Sequence, residues 1–171
     1  MSAIFTTERL RARRWTPDDA DAAFAMYSDP EVMRWLGDGH ARPVPSVEVM
    51  RRALESRAEQ DHGLYGMWAL GRIDDEVVVG SVILAPLEQR GPDIEIGWHL
   101  ARAHWGHGYA TEGAGALLRY GFDVLALPRI IAVVYPQNSR SIAVCERIGM
   151  RHEGTMRAYE HDLELYAAEP S

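Results

Sequence analysis

His104-Trp105-Gly106-His107-Gly108-Tyr109-Ala110-Thr111-Glu112 is the stretch on which the reading of this chain turns. Upstream, Asp93 to Leu100 alternates: Ile94, Ile96, Trp98 and Leu100 share one face, and Glu95, Gly97 and His99 the other, as in a strand. Downstream, Ala110, Ala114, Leu117, Gly121 and Leu125 recur at helical spacing, which predicts a helix over Tyr109 to Leu125. Two glycines between a strand and a helix let main chain approach a ligand closely and take φ values that other residues resist. The helix that follows offers unpaired N–H groups and the positive end of its dipole. Such a turn either cradles a phosphate-bearing ligand or merely connects two elements. Two phosphate readings fail on residues. A dinucleotide fingerprint, and with it a nucleotide-dependent oxidoreductase, wants Gly where Thr111 stands and an acid after the next strand, which instead ends Val133-Val134-Tyr135-Pro136. The Lys-Ser/Thr ending of a nucleotide P-loop is missing as well.

Outward from this turn, Arg129 to Val134 is an apolar run suited to a strand buried on both faces. Strand, helix and strand from Asp93 to Val134 predict a parallel pair with a right-handed crossover. Tyr65–Leu70 and Val77–Leu84 flank the polar Asp74-Asp75-Glu76 and read as a hairpin. Nearer the start, Leu10 to Trp15 reads as a short strand, and Thr16-Pro17-Asp18-Asp19 opens a helix with Ala22, Phe24, Ala25 and Met26 on its apolar side. Asp29-Pro30-Glu31 repeats the start signal, with Val32, Met33, Trp35 and Leu36 following until Gly37-Asp38-Gly39 breaks the pattern. A third helix is expected over Val47 to Gln60. Ser139 to Ile148 is a helix stopped by Gly149, and Arg151–Met156 and His161–Tyr166 read as final strands. The fold class is therefore mixed α/β, in a single domain spanning 1–171.

The 171 residues suffice for one sizeable core. An apolar share of 47% with 25% charged residues argues against a disordered chain. No apolar run approaches the roughly 20 residues that span a bilayer. The first residues lack a secretory pattern, and the single Cys145 forms no internal disulfide, so a cytoplasmic setting is expected. Eighteen basic against 25 acidic residues, net −7, speak against nucleic acid as a partner. That balance suits a cationic partner such as an amine, or serves solubility alone.

Six segments in order resemble one family. They are Thr7-Glu8-Arg9-Leu10-Arg11-Ala12-Arg13 with Thr16-Pro17-Asp18-Asp19-Ala20, Ser28-Asp29-Pro30-Glu31-Val32-Met33-Arg34-Trp35, Ile94–Leu100, Trp105–Glu112, Asn138-Ser139-Arg140-Ser141 closing at Ile148-Gly149-Met150, and Glu153-Gly154-Thr155-Met156-Arg157. Together they resemble the GNAT superfamily of N-acetyltransferases, and most closely its RimJ/RimL branch. The resemblance implies a mostly antiparallel sheet of about six to seven strands, splayed between two parallel central strands and flanked by four to five helices. It implies acetyl-coenzyme A as co-substrate and transfer of acetyl to a primary amine, protein N-terminal or small-molecule, by direct attack in a ternary complex. No metal is expected, since His99, His104 and His107 fall five and three apart around a glycine loop with no nearby cysteine. A coenzyme A-binding sensor without turnover is the alternative. Gly106, His107, Gly108, Tyr109, Ala110 and Thr111, with Trp105, would hold the diphosphate. The pantetheine arm would pair with backbone at Trp98, His99 and Leu100, and Asn138 and Ser141 would complete the cofactor site. A homodimer is a further expectation, since similar proteins often dimerise.

The resemblance also marks departures. The residue between the glycines is commonly Lys or Arg in the family, and here it is His107, so coenzyme A binding is expected to weaken as pH rises through the histidine range. The Tyr that many members use to protonate the leaving thiolate would stand at Cys145. A thiol there can donate weakly or simply pack. Ser141 matches the position RimL-like members are thought to use instead. For the base, Glu95 is the candidate on the central strand; a register slip of one residue would turn it to the other face. His99 shares its face, Glu160 and His161 are further candidates, and water alone could serve.

Overall fold

The computed structural model describes residues 3–60, 64–89 and 91–170. It contains an eight-stranded sheet in the order β1-β2-β3-β4-β5-β6-β8-β7. The strands are β1 (Phe5–Thr6), β2 (Leu10–Arg14), β3 (Gly66–Arg72), β4 (Val78–Pro86), β5 (Ile94–Leu100), β6 (Ile130–Val134), β7 (Arg151–Ala158) and β8 (His161–Ala168). The helices are α1 (Ala20–Tyr27), α2 (Pro30–Met33), α3 (Val47–Gln60), α4 (Tyr109–Asp123) and α5 (Ser139–Arg147). Every neighbouring pair is antiparallel except β5 with β6, the parallel pair joined through α4. The sheet has one strand more than expected. The addition is β1, whose two residues are too few to show alternation.

Two helix starts differ in detail. Thr16-Pro17 opens a 3-10 turn over Pro17–Asp19, and α1 begins only at Ala20. Asp19 holds this corner: its carboxylate accepts from the Thr16 N–H at 2.9 Å and pairs with Arg13 at 2.7 Å. Asp29 caps α2 through the Glu31 N–H at 2.9 Å. That helix stops at Met33, and Trp35 and Leu36 lie in turns.

Alternation sorts the strand residues onto two faces. Leu70, Val82, Leu84, Ile96, Ile130 and Ala132 face α4 and α5 in one core. Ala69 joins Trp15, Met26, Met33, Met50 and Leu54 in a second core under α1, α2 and α3. Ile131, Leu163 and Ala167 form a third cluster. Gly113 and Gly121 let α4 settle onto the sheet, since a Cβ there would lie 2.7 Å from Leu70 Cδ1 and 2.5 Å from Ile130 Cδ1. Among the described residues no helix is long and apolar enough to cross a membrane.

One feature of the sheet governs the site. β5 and β6 share a single registered pair, Glu95 with Ile131. Beyond it the two strands part, so the edges of 96–100 and 132–134 that face each other carry no registered pair, while their outer edges pair with β4 and β8.

Candidate functional site

Where β5 and β6 part lies a cavity of about 1700 Å³. One end is walled by the turn at 104–112 and by Asn138–Ser141 at the mouth of α5. The other end reaches Val32, Trp35 and Leu36, α3, and Glu95 on β5.

The turn is built as its glycines predict. Gly106 and Gly108 sit at φ +80° and +79°, in the left-handed region, and a Cβ at Gly106 would meet nothing within 4 Å. α4 begins directly after Gly108, so the first N–H groups of the helix have no partner within it. Trp105 fastens the turn: its Nε1 donates to the Leu100 carbonyl at 2.9 Å, and Arg140 lies 4.5 Å over its ring. Positive-φ glycines, free helix amides and an open strand edge together fit the diphosphate and extended amide arm of coenzyme A.

Each expected cofactor residue can now be located. Trp98, His99, Leu100, Trp105, Gly106, Gly108, Tyr109, Ala110, Thr111, Asn138 and Ser141 all border the cavity. His107 does not. Its Nδ1 lies 2.9 Å from the Trp105 carbonyl, and its ring stacks on Tyr109 with centroids 5.6 Å apart. Asn138 caps α5, its Oδ1 accepting from the Ser141 N–H at 3.3 Å. The cap engages only the amide oxygen of Asn138, a residue that borders the cavity. Ser141 stands half-buried in the first turn of α5.

Candidates for proton transfer separate by environment. Glu95 keeps its proton to about pH 7, because burial disfavours its charge and Glu88 nearby adds repulsion, while Tyr159 opposes both by donating to Glu95 Oε2 at 2.6 Å. His99 is driven the other way. Burial lowers its pKa to about 4, and its Nδ1 lies 3.1 Å from the Tyr27 hydroxyl, itself 3.0 Å from Ser81. A neutral imidazole fixed in that network is a structural element, not a base poised near neutral pH. Glu160 is exposed in the β7–β8 turn, and His161 Nε2 donates to the Asp38 carbonyl at 2.7 Å; neither borders the cavity. Cys145 lies in the core, off the cavity wall, with burial pushing its thiol up to about 12. That placement removes it as the acid and accounts for it as packing.

Three residues at the site had no assigned role in the sequence. Tyr159 binds Glu95 from the β7–β8 turn, and Tyr27 holds His99. Arg9, on the turn before β2, donates from Nη1 to the His107 carbonyl at 3.0 Å and lies 4.9 Å over the Tyr109 ring. A Cβ at Gly108 would lie 3.5 Å from Arg9 Nη2.

Comparison with known proteins agrees with this architecture. Residues 9–151 match the family described as an acetyltransferase (GNAT) domain. The uncharacterized N-acetyltransferase YoaA of Bacillus subtilis is 31% identical over 93% of this chain and 89% of its own. A GNAT-family acetyltransferase of Bacillus anthracis superposes with a TM-score of 0.76 at 28% identity, covering 95% of this chain and 94% of that one. RimJ of Mycobacterium smegmatis, solved with a coenzyme A disulfide, superposes with a TM-score of 0.76 at 25% identity, covering 94% of this chain and 81% of that one.

Proposed function

The chain belongs to the GNAT family and is an N-acetyltransferase; from that premise we propose that it takes acetyl from acetyl-coenzyme A and passes it to a primary amine by direct attack in a ternary complex. One observation carries the reading. A single cavity joins a glycine turn at a helix mouth, an open strand edge, and a carboxylate that holds its proton to about pH 7.

The bound donor supplies an activated acetyl thioester. This chain's residues do the rest. The N–H groups of the Gly106–Thr111 turn bind the diphosphate, helped by the dipole of α4. Backbone at Trp98–Leu100 holds the amide arm as a neighbouring strand would, and Asn138 adds a side-chain donor. Glu95 accepts a proton from the incoming ammonium, directly or through water, and its raised pKa suits it to that exchange near neutral pH. Tyr159 orients the carboxylate. As the new C–N bond forms and the C–S bond breaks, Ser141 offers its hydroxyl proton to the leaving sulfur and regains one from the nitrogen.

The acceptor class is tested by screening coenzyme A release against peptide N-terminal amines, small-molecule amines and antibiotic-type amines. We expect release with at least one class and its loss in Glu95→Gln. Coenzyme A binding with no release on any amine would overturn the transferase mechanism in favour of a sensor, a reading to which the buried Cys145 at the usual acid position lends support. A homodimer and a cytoplasmic location belong to the same proposal; sedimentation reads the first.

A further inference from the structure

An acid stands where the proposed cofactor site least tolerates one. Glu112 lies in the first turn of α4 and borders the cavity. Its carboxylate is stabilised by the helix dipole that a bound diphosphate would also use, and the two anions would repel. The protein gathers donors on it. Thr7 Oγ1 donates to Oε1 at 2.6 Å, the Arg9 N–H donates to the same oxygen at 3.0 Å, and Arg9 Nε and Nη2 reach Oε2 at 2.6 and 2.5 Å. The remaining terminal nitrogen of Arg9 donates to the His107 carbonyl at 3.0 Å. In a trans peptide the C=O and the next N–H point to opposite sides. Tying the His107 carbonyl to Arg9 therefore turns the Gly108 N–H away from the guanidinium. The ring of Tyr109 supports the guanidinium from beneath.

We propose that Arg9 is the positioning residue of the glycine turn: it cancels the charge of Glu112 beside the diphosphate and fixes the direction of the Gly108 amide. This rests on the coenzyme A reading above. With His107 between its glycines, the turn then faces a neutral Arg9–Glu112 pair in place of a bare carboxylate.

The test is calorimetry of coenzyme A with the full chain and three variants. Arg9→Met, which leaves Glu112 unmatched, is expected to raise the dissociation constant about tenfold. Glu112→Gln in the Arg9→Met background removes the stranded charge, so the double variant binds several-fold more tightly than Arg9→Met. The defect of Arg9→Met shrinks between 50 mM and 500 mM salt, by screening of a repulsion. Arg9→Lys keeps the charge but cannot hold Glu112 and the His107 carbonyl together, and it falls between wild type and Arg9→Met; it also serves if Arg9→Met fails to fold. A merely structural Arg9 would show no rescue and no salt dependence. Equal binding by wild type and Arg9→Met, or a double variant no better than the single, overturns the proposal and leaves the transferase reading intact. A wild-type chain that ignores coenzyme A overturns the transferase reading as well.

Discussion

Glu95→Gln should make the protein more stable in alkaline solution while abolishing its turnover. In the folded chain the Glu95 carboxyl is raised from 4.5 to about 7 by burial, with Glu88 adding repulsion. At 1.36 kcal/mol per pH unit, the ionised form is disfavoured by roughly 3 kcal/mol, or about 2 kcal/mol once partial solvent screening is allowed for. Between these two pKa values the folded state holds a proton that the unfolded state has released. Stability therefore falls as pH rises from about 4.5 to about 7 and levels off above that. Gln carries no charge and still offers a carbonyl oxygen to the Tyr159 hydroxyl, which donates 2.6 Å from Oε2 in the native protein. Relative to wild type, the variant should match at pH 4 and gain about 2 kcal/mol at pH 8, a rise in Tm of roughly 4–8 °C for a chain of this size. Urea denaturation of both proteins at pH 4, 6 and 8 measures the difference. The same carboxylate gives the acidic limb of the wild-type kcat/KM profile an apparent pKa near 7, since the base acts only when ionised. A stability difference that does not change with pH would refute the burial account of Glu95, and with it the case for this group as the base.

Tyr159→Phe removes the donor that favours ionised Glu95, so the limb in kcat/KM should move up by about half to one pH unit; an unmoved limb rejects the contact. Ser141→Ala should lower kcat roughly 10- to 100-fold while changing the KM for acetyl-coenzyme A less than about threefold; unchanged turnover rejects the assignment. Gly80→Ala places a Cβ 2.2 Å from the His99 carbonyl oxygen, against backbone that cannot yield cheaply. It should destabilise by about 3 kcal/mol or more in chemical denaturation, and a tolerated variant would show that β4 and β5 can shift apart. Native Cys145 should resist alkylation by iodoacetamide at pH 8 until denaturant is added, because its thiol stays protonated in the core.

What the sequence made legible was what it keeps contiguous. The glycine turn, the cap at Asn138 and the alternation of β5 each lie within a few residues, where spacing alone reports geometry. The α3 bounds, Val47–Gln60, follow from helical periodicity, and β6 reads as buried because its apolar run has no gap. Contacts that close across the sheet left no local trace. Arg9 and Glu112 are 103 residues apart, His99 and Tyr27 are 72 apart, and Tyr159 and Glu95 are 64 apart. Arg9 and Glu112 both fall in segments that resemble the family, yet no spacing rule pairs them. Environment was equally hidden. Glu95 and His99 share one face of one strand, four positions apart, and burial pushes one toward neutral pH and the other far below it. Trp35 and Leu36 continue the apolar pattern of α2 but turn away from it, since Gly37 and Gly39 at φ +55° and +72° reverse the chain soon afterwards.

The single rung between Glu95 and Ile131 gives the molecule an unfinished edge facing inward. Exposed sheet margins invite other chains to add on, and proteins usually blunt them with charge, proline or a covering loop. Here the unsatisfied margin lies inside a cleft, where whole sheets from other molecules have no room to align but one slender extended chain does. The stickiness that elsewhere threatens fibre growth is thereby turned into selectivity for length and shape. Filling in this gap with further rungs would tidy the sheet and silence the protein.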